Sequence, residues 1–216
     1  LTSYATLREY LDKKTVKNIF FLFFEQNELD DLLLELNNPI LKRYFDNKNY
    51  TQNLFLRQDE IDNLNLIKHN NILDEYNNKI ISKLEIKTKI SQMLKFYNLR
   101  KFIKNFFIKK TKLTPQKIPA FEKILVDYKN LAKKNNSNFY FIYLPTFYRY
   151  DNKFNNTIYE ETIDLLKNLD IKIIDIKKAF DEHPDVKELF PFRSPGHYDI
   201  EGYNYVSKTI FNELNK

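Results

Sequence analysis

Three short apolar segments alternating with amphipathic helical patterns make this an α/β chain built on a parallel sheet. The segments are Asn18 to Phe24, Asn138 to Leu144 and Ile171 to Ile176, each of strand length. A helical pattern separates each from the next, which implies right-handed crossovers and a sheet covered on both faces.

The elements follow in order. Leu1 to Leu11 (LTSYATLREYL) reads as a helix. Lys17 to Leu32 (KNIFFLFFEQNELDDL) is an apolar run too short for a membrane span, turning abruptly into a loop rich in amides and carboxylates. It reads as a buried strand delivering Asn27 to its end. Asp30 and Asp31 then open a helix, where carboxylates favour the positive dipole end. Roughly Pro39 to Thr114 has no strand signal and many Asn residues, and reads as a mostly helical insertion with polar turns. Ala120 to Lys134 places Phe121, Ile124, Leu125, Tyr128 and Leu131 on one helical face, and Tyr159 to Leu169 repeats the pattern. In the closing stretch Phe190 to Tyr203 (FPFRSPGHYDIEGY), Asp199 is an N-cap for a helix carrying Tyr203, Val206, Ile210 and Leu214 at helical spacing. His197 therefore sits on a polar loop at the mouth of that helix.

Composition sets the outer limits. The 216 residues suffice for one core-bearing domain with a helical insertion inside it, and 43% hydrophobic with 30% charged residues reads as soluble and globular rather than disordered. Only 2 Gly leave no phosphate-cradling glycine loop, and 0 Cys exclude disulfides and thiolate metal sites. No signal peptide or transmembrane segment is visible; an upstream signal or anchor would place the protein in the cell envelope or periplasm, and otherwise the cytoplasm is expected.

The basic charge is local. Lys79 to Lys112 carries eleven Lys or Arg against one acid, Glu85, a charge of +10, whereas the whole chain is +6, leaving −4 for the rest. Within it Phe96, Leu99, Phe102, Ile103, Phe106 and Phe107 form an apolar stripe flanked by Lys95, Arg100, Lys101, Lys104 and Lys109. Three readings stand: an amphipathic helix docked on the domain with a solvated lysine face, a helix on an anionic membrane surface, or a patch for nucleic acid or acidic polysaccharide. No nucleic-acid motif accompanies it, so nucleic acid is the least favoured partner.

On the residues alone, His197 is a catalytic base or a surface loop histidine. Asn27 stands where ligands bind in open α/β sheets, at the carboxyl end of a strand, or else it closes a turn. Tyr143 to Tyr150 (YLPTFYRY) follows the second strand at the same end. Thr146, Tyr148 and Arg149 then line a substrate pocket suited to a carbohydrate or an anionic group, or cap the sheet. His183 and His69 have no His, Asp or Glu partner at metal-ligand spacing and read as structural or surface residues, and no metal or organic cofactor is expected.

The Asn27 and His197 segments resemble the Asn and His blocks of the SGNH (GDSL-like) hydrolase family. Members carry an apolar strand ending in a Gly-x-Asn-Asp-like turn, matched here by Glu25, Gln26, Asn27 and Glu28, and a Gly-His-Tyr/Phe-x-x-x-Gly-Tyr/His approach to the last helix, matched by Gly196, His197, Tyr198, Gly202 and Tyr203. Leu1 to Leu11 resembles the helix after the family's Gly block. The resemblance implies a flavodoxin-like three-layer αβα fold in which the visible strands are the third, fourth and fifth of five. It also implies that the Gly-Asp-Ser nucleophile block and the oxyanion Gly lie upstream of Leu1, so that this chain alone is expected to be inactive. Two matched positions depart from the pattern: Gln26 replaces the Gly before the Asn, and Ser194 replaces the Asp three residues before the His.

The resemblance assigns roles. His197 is the general base and later the general acid, and the side-chain amide of Asn27 is an oxyanion donor, with Gln26 and Glu28 placed beside it as substrate contacts. Ser194 cannot orient the imidazole through a carboxylate; it hydrogen-bonds it at most, while Asp181, Glu182, Asp185 or a backbone carbonyl are the other ways to hold it. A Ser-His dyad is the preferred expectation. The implied function is an ester hydrolase or O-acyltransferase acting on an ester-bearing small molecule or glycan, such as an acetylated envelope glycan. The rival is a non-catalytic protein of the same fold that binds a glycan, a membrane surface or a partner chain.

Overall fold

The computed structural model describes residues 1–83, 113–150 and 156–215, and the basic aromatic stripe expected over 96–107 lies outside them. The chain divides into two compact units, Leu1–Gln52 with Leu113–Lys216, and Asn53–Lys112.

The first unit holds the sheet. Strands β1 (Asn18–Phe24), β2 (Asn138–Leu144) and β3 (Lys172–Asp175) lie in that order, all parallel. The side chains alternate across it as a pleated strand requires. Ile19, Phe21 and Phe23 of β1 and Phe139, Phe141 and Tyr143 of β2 enter one core with helices α1 (Thr2–Tyr10), α2 (Glu28–Leu36), α3 (Pro39–Asp46), α5 (Pro119–Lys134) and α6 (Thr157–Asn168). In register, Phe21 stacks on Phe141 at 5.4 Å. Ile142 and Ile174 point the other way, into a second core with α7 (Ile176–Asp181) and α8 (Ile200–Leu214). Helices thus cover both faces of a parallel sheet, as the alternating pattern predicts.

Local chemistry sets the turns. After α5 and α6 the chain passes through left-handed Asn136 (φ 54°) and Asp170 (φ 49°), and the next amides return to the helices, Ser137 N to the Ala132 carbonyl at 2.9 Å and Ile171 N to the Leu166 carbonyl at 3.0 Å. Each such stop feeds directly into a strand. Helix α3 belongs to this unit although it falls inside the stretch read as the insertion. Buried Glu9 accepts from the Tyr44 hydroxyl and from Gln52 N at 2.7 Å, and Arg8 donates to the carbonyls of Lys48 at 2.6 Å and Tyr50 at 2.8 Å. These bonds satisfy backbone groups of an irregular segment that has no strand or helix partner of its own.

In the second unit a 3₁₀ turn (Leu54–Arg57) leads into α4 (Gln58–Lys83), where Arg57 holds Glu60 through two exposed hydrogen bonds of 2.8 and 2.7 Å. Leu64, Ile67, Ile72 and Tyr76 of α4 are exposed. No helix among the described residues is long and apolar enough to cross a membrane.

Candidate active site at the carboxyl end of the sheet

The parallel strands deliver their loops to one end: Glu25 to Asn27 after β1, Pro145 to Tyr150 after β2, and Asp175 at the end of β3. The loop before α8 closes over the same end. Tyr198 is buried and donates its hydroxyl to the Pro145 carbonyl at 2.6 Å, and its ring meets Phe24 at 6.5 Å. His197 lies beside it, exposed, with its imidazole 5.7 Å from the Phe24 ring. The histidine and asparagine segments, distant in sequence, therefore meet at the end of one strand.

Asp199 fixes the direction of the histidine loop by capping α8, its Oδ1 accepting from Gly202 N at 2.8 Å. Gly202 is required by contact: a Cβ there would stand 2.4 Å from the Leu189 carbonyl oxygen and 2.8 Å from Tyr198 Cβ. Just upstream, Phe192 (φ 54°) and Arg193 (φ 52°) are both left-handed, a conformation costly for residues with a Cβ. Arg193 is held there by Asp185 and Glu188, while Phe192 is 99% exposed.

Asn27 starts α2 and is exposed. Its Nδ2 donates to Asp31 at 2.7 Å, which uses one of two amide N–H donors and leaves the other. Ser194 is exposed, and neither its hydroxyl nor the His197 ring makes a hydrogen bond among the described residues. Two of the acids considered for orienting His197 are engaged elsewhere, Asp181 with Lys177 and Asp185 with Arg193.

The sequence-derived pocket residues divide. Arg149, read from the sequence either as lining a substrate pocket or as capping the sheet, is turned inward: its side chain is 4% exposed and clamps Glu25, itself 0% exposed. Its Nε lies 2.9 Å from Oε1 and 3.1 Å from Oε2, a second guanidinium nitrogen binds Oε2, and the third donates to Asn156. The Tyr143 hydroxyl and Thr146 N (2.7 Å) complete the shell around Glu25. Burial and the carboxylate together push the Tyr143 hydroxyl far above its ordinary range. Thr146 is fully buried and donates to Gln26 Oε1 at 3.0 Å, so these two residues bind each other. Tyr148 is half exposed at this end and stays accessible. Glu28 faces the opposite side of the sheet from Phe24 and His197, in a crevice with Phe21, Leu32 and Phe121, where burial and Asp31 raise its carboxyl above the usual range.

Sequence reasoning passed over Glu25 as a structural centre. The available signal was a carboxylate directly after a wholly apolar strand, which must find a cation when the strand end is buried. Among the described residues no group of three or more His, Cys, Asp or Glu could hold a metal ion. Comparison with protein-family models, with curated proteins and with solved structures finds no match to this chain.

Proposed function

We propose that the carboxyl end of this sheet is part of an SGNH-type serine hydrolase or O-acyltransferase site, acting on an ester of a carbohydrate such as an envelope glycan. One observation carries the reading: the His197 ring lies 5.7 Å from Phe24, three residues before Asn27, so a base and an amide donor share one strand end. The nucleophilic serine is assigned to polypeptide upstream of Leu1.

In that reaction the serine Oγ attacks the acyl carbon while its proton passes to the His197 imidazole. The carbonyl oxygen becomes an oxyanion and takes a hydrogen bond from Asn27 Nδ2. Collapse expels the alcohol, which receives the proton back from His197, and the acyl-serine is then released by water or by a sugar hydroxyl. His197 acts as a dyad base, without a carboxylate behind it.

A specific observation favours the second reading, a non-catalytic binding protein: one of the two Asn27 amide donors is already held by Asp31, which fixes the direction of the other. Turnover of an acetyl ester by the natural-length protein separates the two. His197→Ala is expected to lower kcat by about a thousandfold or more and Asn27→Ala by about a hundredfold. Turnover unaffected by His197→Ala overturns the hydrolase reading, and no turnover by the unaltered protein favours the binding one.

A further inference from the structure

The loop that carries His197 is closed at its neck. Asp199 N donates to the Leu189 carbonyl at 3.1 Å, and one residue further in the buried rings of Phe190 and Tyr198 meet at 5.3 Å. Phe190 also packs on Phe147 at 5.3 Å and on Phe180 at 6.2 Å, so both ends of the loop are anchored in the second core. Residues 192–197 between them are all exposed. This is the form of an Ω-loop, a compact surface loop whose ends lie together.

The tip is stiff rather than slack. Pro191 and Pro195 fix their own φ, and each holds the residue before it extended, Phe190 at φ −122° and ψ 139° and Ser194 at φ −136° and ψ 160°. Between the two prolines Phe192 and Arg193 are both left-handed. Asp185 and Glu188 hold the Arg193 guanidinium, Glu188 at 3.1 Å. The Phe192 ring is 99% exposed, so no packing offsets its backbone conformation. A costly conformation thus presents an aromatic ring to solvent, five residues before His197 and within about 18 Å of it along the chain.

Two features select what that ring meets. Arg193 is the one Lys or Arg of residues 191–197 and is matched by two carboxylates, so the tip carries no unbalanced cation for a phosphate or an acidic polymer. A lipid chain or an apolar protein groove needs a continuous apolar area, whereas apart from Pro195 the rest of the exposed tip is polar or glycine. A neutral sugar satisfies both. The C–H face of a pyranose lies on the negative face of an aromatic ring while its hydroxyls stay in water or bond to polar neighbours.

We propose that Phe192 is a stacking platform for a pyranose ring of the substrate, holding a neutral glycan across the loop tip with its ester at His197. The platform rests on the reading of this sheet end as a carbohydrate-ester site and adds the residue that recognises the sugar.

Two uncharged acetate esters separate the sugar from the ester: glucose pentaacetate has a pyranose ring and glyceryl triacetate has none. In the natural-length protein Phe192→Asn removes the ring and keeps a residue type that tolerates the left-handed region. It is expected to lower the ratio of kcat/KM for the first ester over the second by about tenfold, through KM, whereas Phe192→Tyr keeps the ratio. A ratio unmoved by Phe192→Asn overturns the platform. Turnover of neither ester sinks the hydrolase reading instead, and binding then decides: titration with N-acetylchitotetraose is expected to shift the ring NMR signals that are missing in Phe192→Asn, and signals that stay in place overturn the platform. The melting temperature of Phe192→Asn is expected to be no lower than that of the unaltered protein. A lower one makes Phe192 a structural residue and overturns the proposal.

Discussion

Arg149 and Glu25 form a buried ion pair between residues 124 apart, and it ties the loop after β2 to the loop after β1. The pair is fully hydrogen-bonded, the carboxylate by Arg149, Tyr143 and Thr146 and the guanidinium also by Asn156. Removing one partner leaves a buried charge uncompensated. Arg149→Leu or Glu25→Leu is expected to cost about 3–5 kcal/mol in urea unfolding, while the double variant recovers most of the loss. Additive losses in the double variant would contradict the coupling.

Gly202 and Gly196 flank the same histidine and should respond oppositely. Alanine at 202 meets the Leu189 carbonyl at 2.4 Å, whereas at 196 nothing lies within 4 Å. Gly202→Ala is expected to destabilise by about 1–3 kcal/mol. Gly196→Ala is expected to change the melting temperature little. Equal effects would mean that the α8 start does not press on Leu189.

The Asp199 cap gives a smaller and separable effect. Asp199→Ala removes the bond to Gly202 N and is expected to cost about 1 kcal/mol, with Asp199→Asn keeping most of it. Circular dichroism melting of the three proteins decides, and equal loss in both variants would point to charge rather than to the cap.

Alkaline pH probes the helical layer. Burial, with Asp127 beside Tyr4 and Glu9 beside Tyr44, pushes both hydroxyls up to about 12, and burial raises Tyr128 to about 12 as well. A folded-state value above the unfolded one stabilises fully below the unfolded value and is lost as pH rises through the folded one. Stability is therefore expected to hold up to about pH 10 and to fall between about 10 and 12. Tyrosinate absorbance should rise together with unfolding. Ionisation of all tyrosines near pH 10 in the folded protein would contradict this packing.

What was legible in the sequence was periodic or local. Strand periodicity placed β1 and β2 at their observed bounds, because seven-residue apolar runs between polar turns admit little else. Asp199 was legible as a cap because its bond reaches only three residues. The Glu25–Arg149 pair was not, since a contact across 124 residues has no local signature, and an arginine after a strand reads equally as an anion site or as a buried counter-ion. Glu28 went the same way: helical spacing puts it next to Asn27 in sequence but on the other side of the sheet. The membership of α3 in the first unit rests on Glu9 and Arg8 reaching residues 44–52, again a tertiary matter.

The most direct test of the functional reading is fluorophosphonate labelling of the natural-length protein and of its His197→Ala variant, with the modified residue mapped by mass spectrometry. Labelling of one serine upstream of Leu1, largely lost in His197→Ala, is the expected result. No labelling, or labelling indifferent to His197, would contradict the assignment of this histidine as the base of a serine hydrolase.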